Sequence, residues 1–509
     1  MFSTMATAFS TDGSEVIQRS LEVNTVEKSS SENALLTSFE IPQCVDFIQK
    51  NSYQRVALQF PDELLSDAAS VIGILQKETD AAVFILADTS YGSCCVDEVA
   101  AQHAKADSII HFGKSCLSPT SRLPVLYVFG HRALDEDKCS GVFQEFFGGG
   151  GASQPVVVMY DVVFSHCIDS LARRFQEIHP QVVISRLVDP GVFTDVPTQK
   201  SQNSNGNAST DEGTDVDLAL MSNAHTFCQF GRRFTIASQQ SLDDYAVFYI
   251  GSNQSATLTN LMMTYNKCPF FTFDPKKQHG QRETLNVNRA LMKRFYMIER
   301  ARDANVVGIV AGTLGVRDYL TVINQLKTLL KKAGKKTYTF VVGKLNVAKL
   351  ANFMEVDIYV LVSCPENSLI DSQEFYKPVV TPFEMEIACN RAREWTGDYV
   401  TDFRQLLPGA SKHVELPSDD SGPDSTADVS LITGKVRSMK TAEDISGEST
   451  TAVMRRDEDM TVSTVHTNAG EFLAGRSWQG LEQQLGQTPV TKATEGRRGI
   501  AASYSEENS

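Results

Sequence analysis

The chain has 509 residues, a formal net charge of −15 and 42% hydrophobic residues. This length allows two to four domains of roughly 100–200 residues each, and the acidic charge argues against nonspecific binding to nucleic acid or to an anionic membrane. No apolar run approaches the roughly 18 residues of a transmembrane helix, and the first 32 residues lack the basic and apolar regions of a signal peptide. We therefore expect a cytoplasmic protein, in which clustered cysteines bind metal or act as redox thiols more often than they form disulfides.

The first folded unit is predicted over residues 41–150, after a polar segment, residues 1–40, that we expect to be disordered. Strands and helices alternate in this unit. The predicted elements are a strand at 55–60, a helix at 63–78, a strand at 81–87, a helix at 96–106, and strands at 108–113 and 123–129. Because buried strands that alternate with helices are typical of a parallel sheet with helices on both faces, we predict an α/β fold.

Two further units are predicted at 151–300 and 301–405. The second unit contains a polar, low-complexity insertion at 194–217 that we expect to be disordered. The third repeats the order of elements found in the first, from a strand at 306 to Cys364, as the first runs from a strand at 55 to Cys116. This repetition predicts three similar parallel-sheet α/β modules.

The tail, residues 406–509, is rich in Ser, Thr, Asp and Gly, and we expect most of it to be disordered. One segment near 471–504 differs, because Trp478, Leu481 and Leu485 lie at helix-like spacing. Burying a large aromatic side chain stabilises a contact by roughly 1.5–3 kcal/mol. We predict that this segment docks on the folded body or on a partner.

Four cysteines follow predicted strands. Cys94 and Cys95 follow the strand at 81–87, Cys116 follows the strand at 108–113, and Cys364 ends the strand that begins at Val356. In open α/β sheets, functional groups collect at the carboxyl ends of the strands, so these thiols can converge. We also expect Cys95 to lie at the start of the helix at 96–106, where the helix dipole would stabilise a thiolate.

Spacing alone supports a metal-ligand and a buried-core interpretation equally for Cys95, Cys116 and Cys364. The other cysteines are predicted to be small buried hydrophobic residues; they are Cys44, Cys139, Cys167, Cys228, Cys268 and Cys389. Three cysteines with an open fourth position suit an iron–sulfur cluster that binds a small ligand. They also suit zinc completed by a His, Asp or Glu.

Other chemistries find less support. The loop "GTLGVRD" (312–318) lacks the Gly-Lys-Ser/Thr of a P-loop, and we predict a tight turn there. His111 lies inside a predicted strand and is expected in the core. The chain shows no Ser/His/Asp arrangement and no G-x-S-x-G motif of a hydrolase.

Two stretches resemble the diphthamide-synthesis protein family. Residues 87–129, with "YGSCC" and "GKSC", are similar to its first module, and residues 361–388, with "LVSCPEN", are similar to its third. The stretch "SCLSPTSRLPV" (115–125) and the tail motif at 476–504 resemble the eukaryotic second subunits rather than the catalytic first subunits. The likeness covers about residues 41–405 and the tail motif.

The resemblance implies three α/β modules around a central 4Fe-4S cluster. It also implies the first step of diphthamide synthesis, in which the cluster cleaves S-adenosylmethionine at a carbon–sulfur bond and a 3-amino-3-carboxypropyl group is transferred to a histidine of translation elongation factor 2. The implied partners are the catalytic first subunit, in a heterodimer, and an electron donor protein. By motif, the implied cluster ligands are Cys95, Cys116 and Cys364, whereas we expect that Cys94 is not one.

One position departs from the family pattern. Catalytic members take one ligand from each of their three domains, whereas the middle unit of this chain has Ser252 where its strand ends. We therefore expect an accessory subunit without catalytic residues of its own, whose cluster relays electrons or supports the cluster of the partner. The alternative is a non-catalytic scaffold, whose cysteines only pack or bind adventitious zinc.

Overall fold

The computed structural model of the chain describes residues 32–86, 92–149, 154–188, 224–237, 240–283, 286–370 and 375–416, with short stretches between 428 and 504. The insertion predicted at 194–217 and most of the docking segment predicted at 471–504 lie outside the described residues. The chain divides into two compact units, Met1–Thr450 and Thr451–Ser509. In the second unit, the structure describes the antiparallel strand pair Gly499–Ile500 and Ser503–Tyr504.

A four-stranded parallel sheet occupies the first predicted unit, with the strand order β2-β1-β3-β4. Its strands are β1 (Arg55–Gln59), β2 (Ala82–Ile85), β3 (Ser108–Phe112) and β4 (Val125–Val128). The helices of this segment are α1 (Glu32–Ser38), α2 (Ile41–Lys50), α3 (Leu65–Glu78), α4 (Glu98–His103) and α5 (Glu136–Phe147). The central strand β3 is buried along its whole length, including His111. The prediction that His111 lies in the core is therefore confirmed.

Ordered structure begins before the predicted boundary at residue 41. Helix α1 lies inside the segment predicted to be disordered, and that prediction is wrong for residues 32–40. The reason is apolar burial: Leu35 and Phe39 are both buried. The ring of Phe39 packs edge-on against Phe112 of β3, with 5.6 Å between the ring centroids.

The second sheet has the strand order β12-β11-β10-β5-β6. Its strands are β5 (Val156–Tyr160), β6 (Val182–Ile184), β10 (Ala246–Ile250), β11 (Phe270–Asp274) and β12 (His279–Glu283). The helices of this segment are α6 (Ile168–Ile178), which follows a 3₁₀ turn at Val162–Cys167, and α7 (Ala256–Thr264). All of the strand pairs are parallel except β11 with β12, whose short connection favours an antiparallel hairpin.

A second, three-stranded antiparallel sheet in the same segment was not predicted. It has the order β7-β9-β8 and consists of β7 (Arg186–Leu187), β8 (Ala224–Gln229) and β9 (Arg232–Ala237). Cys228 lies on β8 and is exposed, so the prediction of a buried residue is wrong there. The reason is that β8 is an edge strand of this small sheet, and only one face of an antiparallel sheet need be covered.

The third sheet has the strand order β14-β13-β15-β16, and all of its pairs are parallel. Its strands are β13 (Val306–Ala311), β14 (Lys336–Val341), β15 (Ile358–Val362) and β16 (Val379–Val380). The helices of this segment are α8 (Asn286–Asp303), α9 (Tyr319–Lys332), α10 (Val347–Ala351), α11 (Pro365–Ser368) and α12 (Pro382–Cys389). Beyond them, Phe403 and Leu406 pack into the same core.

The three larger sheets share the arrangement of their first three strands. In each sheet, the strand that comes first in the chain lies between the second and the third strands of that sheet. The predicted α/β fold with parallel sheets is confirmed. We call the three segments the first, second and third modules. Cys116, Ser252 and Cys364 each follow the third strand of a module, at the carboxyl edge of its sheet. Among the described residues, no helix combines the length and apolar character needed to cross a membrane.

Candidate metal centre

Four cysteine thiols lie together in the described part of the chain. The Sγ atoms of Cys94, Cys95, Cys116 and Cys364 all lie within 4.8 Å of one another. The shortest separations are 3.8 Å between Cys94 and Cys364, 3.9 Å between Cys95 and Cys116, and 4.0 Å between Cys94 and Cys95. All four are free thiols, since a disulfide would bring two sulfurs to about 2.05 Å. We call these four residues the thiol cluster.

Two loops of the first module carry three of these thiols. Cys94 and Cys95 lie between β2 and α4, and Cys116 lies after β3. The loops meet because both leave the carboxyl ends of strands in one parallel sheet. The backbone N–H of Cys116 donates to the carbonyl oxygen of Cys94 over 3.1 Å, and the hydroxyl of Ser115 donates to the same oxygen over 3.4 Å. The two loops are thus joined directly beside the sulfur atoms.

Two buried polar side chains anchor these loops to the sheet and to helix α4. Gln59, at the end of β1, donates to the carbonyl oxygen of Cys95 (2.8 Å) and accepts from the N–H of Asp97 (2.9 Å). Glu98, the first residue of α4, is completely buried. Its carboxylate accepts backbone N–H groups from the loop after Cys116, namely those of Ser121, Arg122 and Leu123. A buried carboxylate needs such donors, and here they fix the course of the loop.

The fourth thiol comes from the third module. Cys364 follows β15, precedes the short helix α11 and is fully buried. The three cysteines of the first module belong to the same apolar core as Ile309 and Val362 of the third. The thiol cluster therefore lies where the loops of one module enter the core of another, and little water reaches it.

The loop at 312–318 holds these two modules together. The N–H of Arg317 donates to the carbonyl oxygen of Pro119 over 2.9 Å. A Cβ atom on Gly315 would collide with the carbonyl oxygen of Val96, so only glycine permits this approach. The turn predicted at this position thus lies against the loops that carry the thiols.

Mutual hydrogen bonds make the four thiols electrostatically unequal. Hydrogen bonds from Cys364, Cys94 and Cys95 lower the pKa of Cys116 well below the usual value of a thiol. The interaction with Cys116 raises the pKa of Cys95 and of Cys364. Thiolate is the form that binds metal, and the lowered pKa favours this form at Cys116.

The second module borders the thiol cluster with polar groups. The Nζ atom of Lys114 lies 4.0 Å from a carboxylate oxygen of Asp161 and 3.9 Å from one of Glu366. The hydroxyl of Thr257 donates to Glu366 over 2.5 Å. Burial raises the pKa of Glu366, and the positive charge of Lys114 opposes that rise. One lysine of the first module thus faces carboxylates of the other two.

A cavity of about 770 Å³ opens beside this network. Cys94 and Lys114 line it from the first module, and Asp161 and Ser252 line it from the second. Cys95 and Cys116 are not among its lining residues, and Cys364 has no exposed surface. Ser252, where the sequence lacks a cysteine, therefore contributes a hydroxyl to the cavity wall.

The structure brings together the three cysteines predicted as ligands and adds Cys94, which the motif comparison left out. The sequence held a signal, since Cys94 directly precedes Cys95, but the direction of its side chain depends on the fold of the loop. The expectation that Cys95 begins a helix is wrong, because α4 begins at Glu98 after the capping residue Asp97. The main influence on the pKa of Cys95 is hydrogen bonding within the thiol cluster and not a helix dipole.

The donor set fits a thiophilic metal. Among the described residues, no His, Asp or Glu joins the four sulfurs in this group, and four cysteine thiolates bind zinc or an iron–sulfur cluster. A sulfur tetrahedron with metal–sulfur bonds of about 2.3 Å has edges of about 3.8 Å. The three shortest separations, 3.8–4.0 Å, match that edge. Sulfur donors alone are unsuited to magnesium or calcium, which take oxygen ligands.

Comparison with known proteins identifies relatives that match nearly the whole chain and share one name. A family model described as "Putative diphthamide synthesis protein" matches residues 60–400. The 2-(3-amino-3-carboxypropyl)histidine synthase subunit 2 of Danio rerio is 50% identical over 507 residues, which cover 99% of this chain and 98% of the relative. The protein of the same name from Schizosaccharomyces pombe is 38% identical over 518 residues, covering 98% and 96%.

Two solved structures share the fold. They are the crystal structure of Dph2 from Pyrococcus horikoshii and the structure of that protein with a 4Fe-4S cluster. Each has a TM-score of 0.51 and 20% sequence identity to this chain. The first match covers 71% of this chain and 94% of the archaeal chain, and the second covers 74% and 96%.

Proposed function

The chain belongs to the diphthamide synthesis protein family, and we propose that it is the iron–sulfur accessory subunit of a heterodimer. The heterodimer transfers a 3-amino-3-carboxypropyl group from S-adenosylmethionine to a histidine of translation elongation factor 2, the first step of diphthamide synthesis. The curated relatives support this proposal, because they are named subunit 2 of a 2-(3-amino-3-carboxypropyl)histidine synthase. The partner in the heterodimer is the catalytic first subunit.

The thiol cluster is the observation that carries the proposal. Cys95, Cys116 and Cys364 are the proposed ligands of a 4Fe-4S cluster, which supplies one-electron transfer when it is bound. The chain's own contribution is to hold these thiols in place through Gln59 and Glu98 and to exclude water from them. Support comes from the crystal structure of Dph2 from Pyrococcus horikoshii with a 4Fe-4S cluster, which has the same fold.

The second module supports the accessory role. Ser252 follows the strand of the second module at the point where a cysteine would be expected in a catalytic member of the family, and it lies on the cavity wall. Among the described residues, the second module adds no ligand to the thiol cluster. We therefore assign the cleavage of S-adenosylmethionine to the first subunit and electron relay or support to this chain.

Two further parts of the proposal follow from this role. A relay requires an electron donor protein that reduces the cluster of this chain. The cytoplasm is the proposed compartment, because metal-binding thiols persist in a reducing environment.

Anaerobic purification of the full chain without its partner, whose own cluster would add iron to the analysis, tests the proposal. We expect brown protein that contains iron and acid-labile sulfide in equal amounts, as thiolate-bound clusters do. In the heterodimer, the cluster in this chain should be reduced before product forms. A colourless preparation that contains one zinc ion per chain would overturn the proposal.

One observation favours a second candidate, a structural zinc site in a non-catalytic scaffold. The sulfur separations of 3.8–4.0 Å equal the edges of a tetrahedron around a single ion. Metal analysis of the same preparation decides between the two, because it counts iron and zinc separately.

A further inference from the structure

Cys94 has a different environment from the other three thiols. Its sulfur lies 3.8 Å from that of Cys364 and 4.0 Å from that of Cys95, so it completes the group of four. It also lines the 770 Å³ cavity, as Cys95 and Cys116 do not. Of the four cysteines, Cys94 is therefore the one that borders the cavity.

A polar contact from the third module orients this thiol. The side-chain amide of Asn367 donates a hydrogen bond of 3.3 Å to the sulfur of Cys94. Asn367 is held in turn, because its backbone N–H bonds the carbonyl oxygen of Cys364 over 3.0 Å. This contact fixes the direction of the Cys94 side chain, and such an amide N–H can still donate to the sulfur when the sulfur binds a metal.

Gly92 makes this arrangement possible. A Cβ atom at position 92 would collide with the side-chain amide of Asn367. The carbonyl oxygen of Gly92 also accepts the backbone N–H of Cys95 over 3.0 Å. One glycine thus shapes the loop for Cys95 and leaves the space through which Asn367 reaches Cys94.

From these contacts we propose that Cys94 is the fourth ligand of the metal centre and closes it toward the cavity. The inference rests on the proposed function for the identity of the metal but not for the ligand count. Cys94 loses its proton on binding, and Asn367 donates to the bound sulfur. A centre with four protein thiolates has no open position for a substrate from the cavity. This provides a physical reason why the chain relays electrons rather than cleaving S-adenosylmethionine.

The position of Cys94 also predicts what its removal would do. The other three thiols remain, and two of them are held by the anchors Gln59 and Glu98. Loss of Cys94 therefore opens one coordination position that faces a cavity of suitable size, since ligand sites typically measure about 300–1,000 Å³. The variant should resemble an open catalytic centre in its access to small molecules.

Electron paramagnetic resonance of the full chain, purified and reduced without the first subunit so that only its own cluster contributes to the spectrum, tests this proposal. Wild-type protein and the Cys94→Ala variant are compared, with Cys139→Ala as the matched control, because Cys139 is a buried cysteine outside the thiol cluster. We expect the wild-type and control spectra to remain unchanged when S-adenosylmethionine or imidazole is added. The Cys94→Ala spectrum should differ from wild type, shift with either addition, and return to the wild-type form with 2-mercaptoethanol, a thiol that can occupy the vacated position.

Each other outcome is decisive. A wild-type spectrum that shifts with S-adenosylmethionine overturns the proposal, as does a Cys94→Ala spectrum identical to wild type. If Cys94→Ala loses its iron, reconstitution with added 2-mercaptoethanol decides: recovery supports a fourth thiolate, and no recovery counts against it. In addition, Asn367→Ala should lower the reduction potential, because hydrogen bonds to ligand sulfurs help to set it.

Cobalt(II) substitution separates this inference from the proposed function. Sulfur-to-cobalt charge-transfer absorption grows with the number of bound thiolates. We expect its intensity to fall by about a quarter from wild type to Cys94→Ala, that is, from four thiolates to three. An unchanged intensity overturns the ligand role of Cys94. Absence of iron in the native protein, by contrast, overturns only the proposed function.

Discussion

The backbone N–H of Cys116 donates a 3.1 Å hydrogen bond to the carbonyl oxygen of Cys94. This bond joins the loop after β2 to the loop after β3 directly beside the sulfur atoms that both loops carry. Cys364 reaches the same point from another module. Substitutions of the thiols therefore test the composition of the metal centre, and substitutions of the loop anchors test its positioning.

Removing the three predicted ligands should remove the metal. We expect Cys95→Ala, Cys116→Ala and Cys364→Ala each to lower the iron content severalfold, and the triple variant to contain none, because a cluster needs its thiolates. Iron and sulfide analysis after anaerobic purification measures the effect, with Cys139→Ala as the control. Full iron content in the triple variant would contradict the assignment.

The Glu98 carboxylate should be needed for both folding and metal binding. In Glu98→Ala, the backbone N–H groups of Ser121, Arg122 and Leu123 lose their charged acceptor, and a hydrogen bond to a charged group contributes about 1.5–3 kcal/mol. We expect the free energy of unfolding to fall by about 2 kcal/mol or more and iron to be lost because the loop after Cys116 is released. Urea unfolding and iron analysis measure the two effects. The exposed Glu145→Ala on α5 is the control, and an equal result for both variants would refute the anchoring role.

A buried ion pair in the third module should be costly to break. The guanidinium group of Arg294 donates to the fully buried carboxylate of Glu384, which also accepts from the hydroxyl of Tyr399 over 2.8 Å. Arg294→Met leaves that carboxylate without its countercharge, and breaking such pairs costs about 3–5 kcal/mol. Chemical unfolding should show this loss. Lys50→Met, which removes an exposed pair with Asp46, should show no measurable loss; similar losses in the two variants would contradict the prediction.

His179 should make the fold less stable in mild acid. Its Nδ1 accepts the N–H of Gln181 over 3.2 Å, and its buried Nε2 has no partner among the described residues. Burial lowers the pKa of this imidazole, so below about pH 6.5 the unfolded chain binds a proton that the folded chain does not. The stabilising contribution of neutral His179 is thus complete above that pH and is lost as the pH falls toward the folded pKa. Urea unfolding at about pH 7.5 and 5.5 should show a smaller difference in His179→Gln than in wild type, and equal differences would reject the prediction.

The segment near 471–504, which lies almost wholly outside the described residues, should contribute to pairing. Truncation after residue 470 removes Trp478, Leu481 and Leu485, whose burial would stabilise a docked segment. We expect weaker co-purification with the first subunit and lower activity of the pair. Deletion of 194–217 serves as the control and should leave the melting temperature and the pairing nearly unchanged. Wild-type pairing and activity in the truncated protein would contradict a docking role.

Local patterns in the sequence were sufficient for much of the fold. The apolar strands at 108–113 and 356–364, with helices between strands, predicted parallel sheets, because burial on both faces demands continuous apolar runs. Cys116 and Cys364 could be placed at sheet edges for the same reason, since a strand followed by a crossover helix puts its carboxyl end at a shared edge. Motif likeness then indicated the chemistry.

Predictions from local sequence patterns were wrong where an element is stabilised by residues that are distant in the sequence. Helix α1 is ordered only because Leu35 and Phe39 meet the first sheet. A stretch of polar composition carries no sign of such a partner, so the segment was predicted to be disordered. Strand β12 and the small sheet around β9 were missed because strands were inferred from apolar runs, which these partly exposed strands lack.

The central strands of the three larger sheets, and the cysteines that follow them, were predictable from the sequence alone, because strand and helix periodicities depend on neighbours along the chain. The tertiary structure alone decided that Cys364 meets Cys94, that Lys114 faces Asp161 and Glu366, and that Cys94 rather than a histidine completes the group. These relationships depend on how the modules dock. Docking depends on many specific contacts between residues that are distant in sequence, such as the approach of Gly315 to Val96. A local sequence pattern does not predict these contacts.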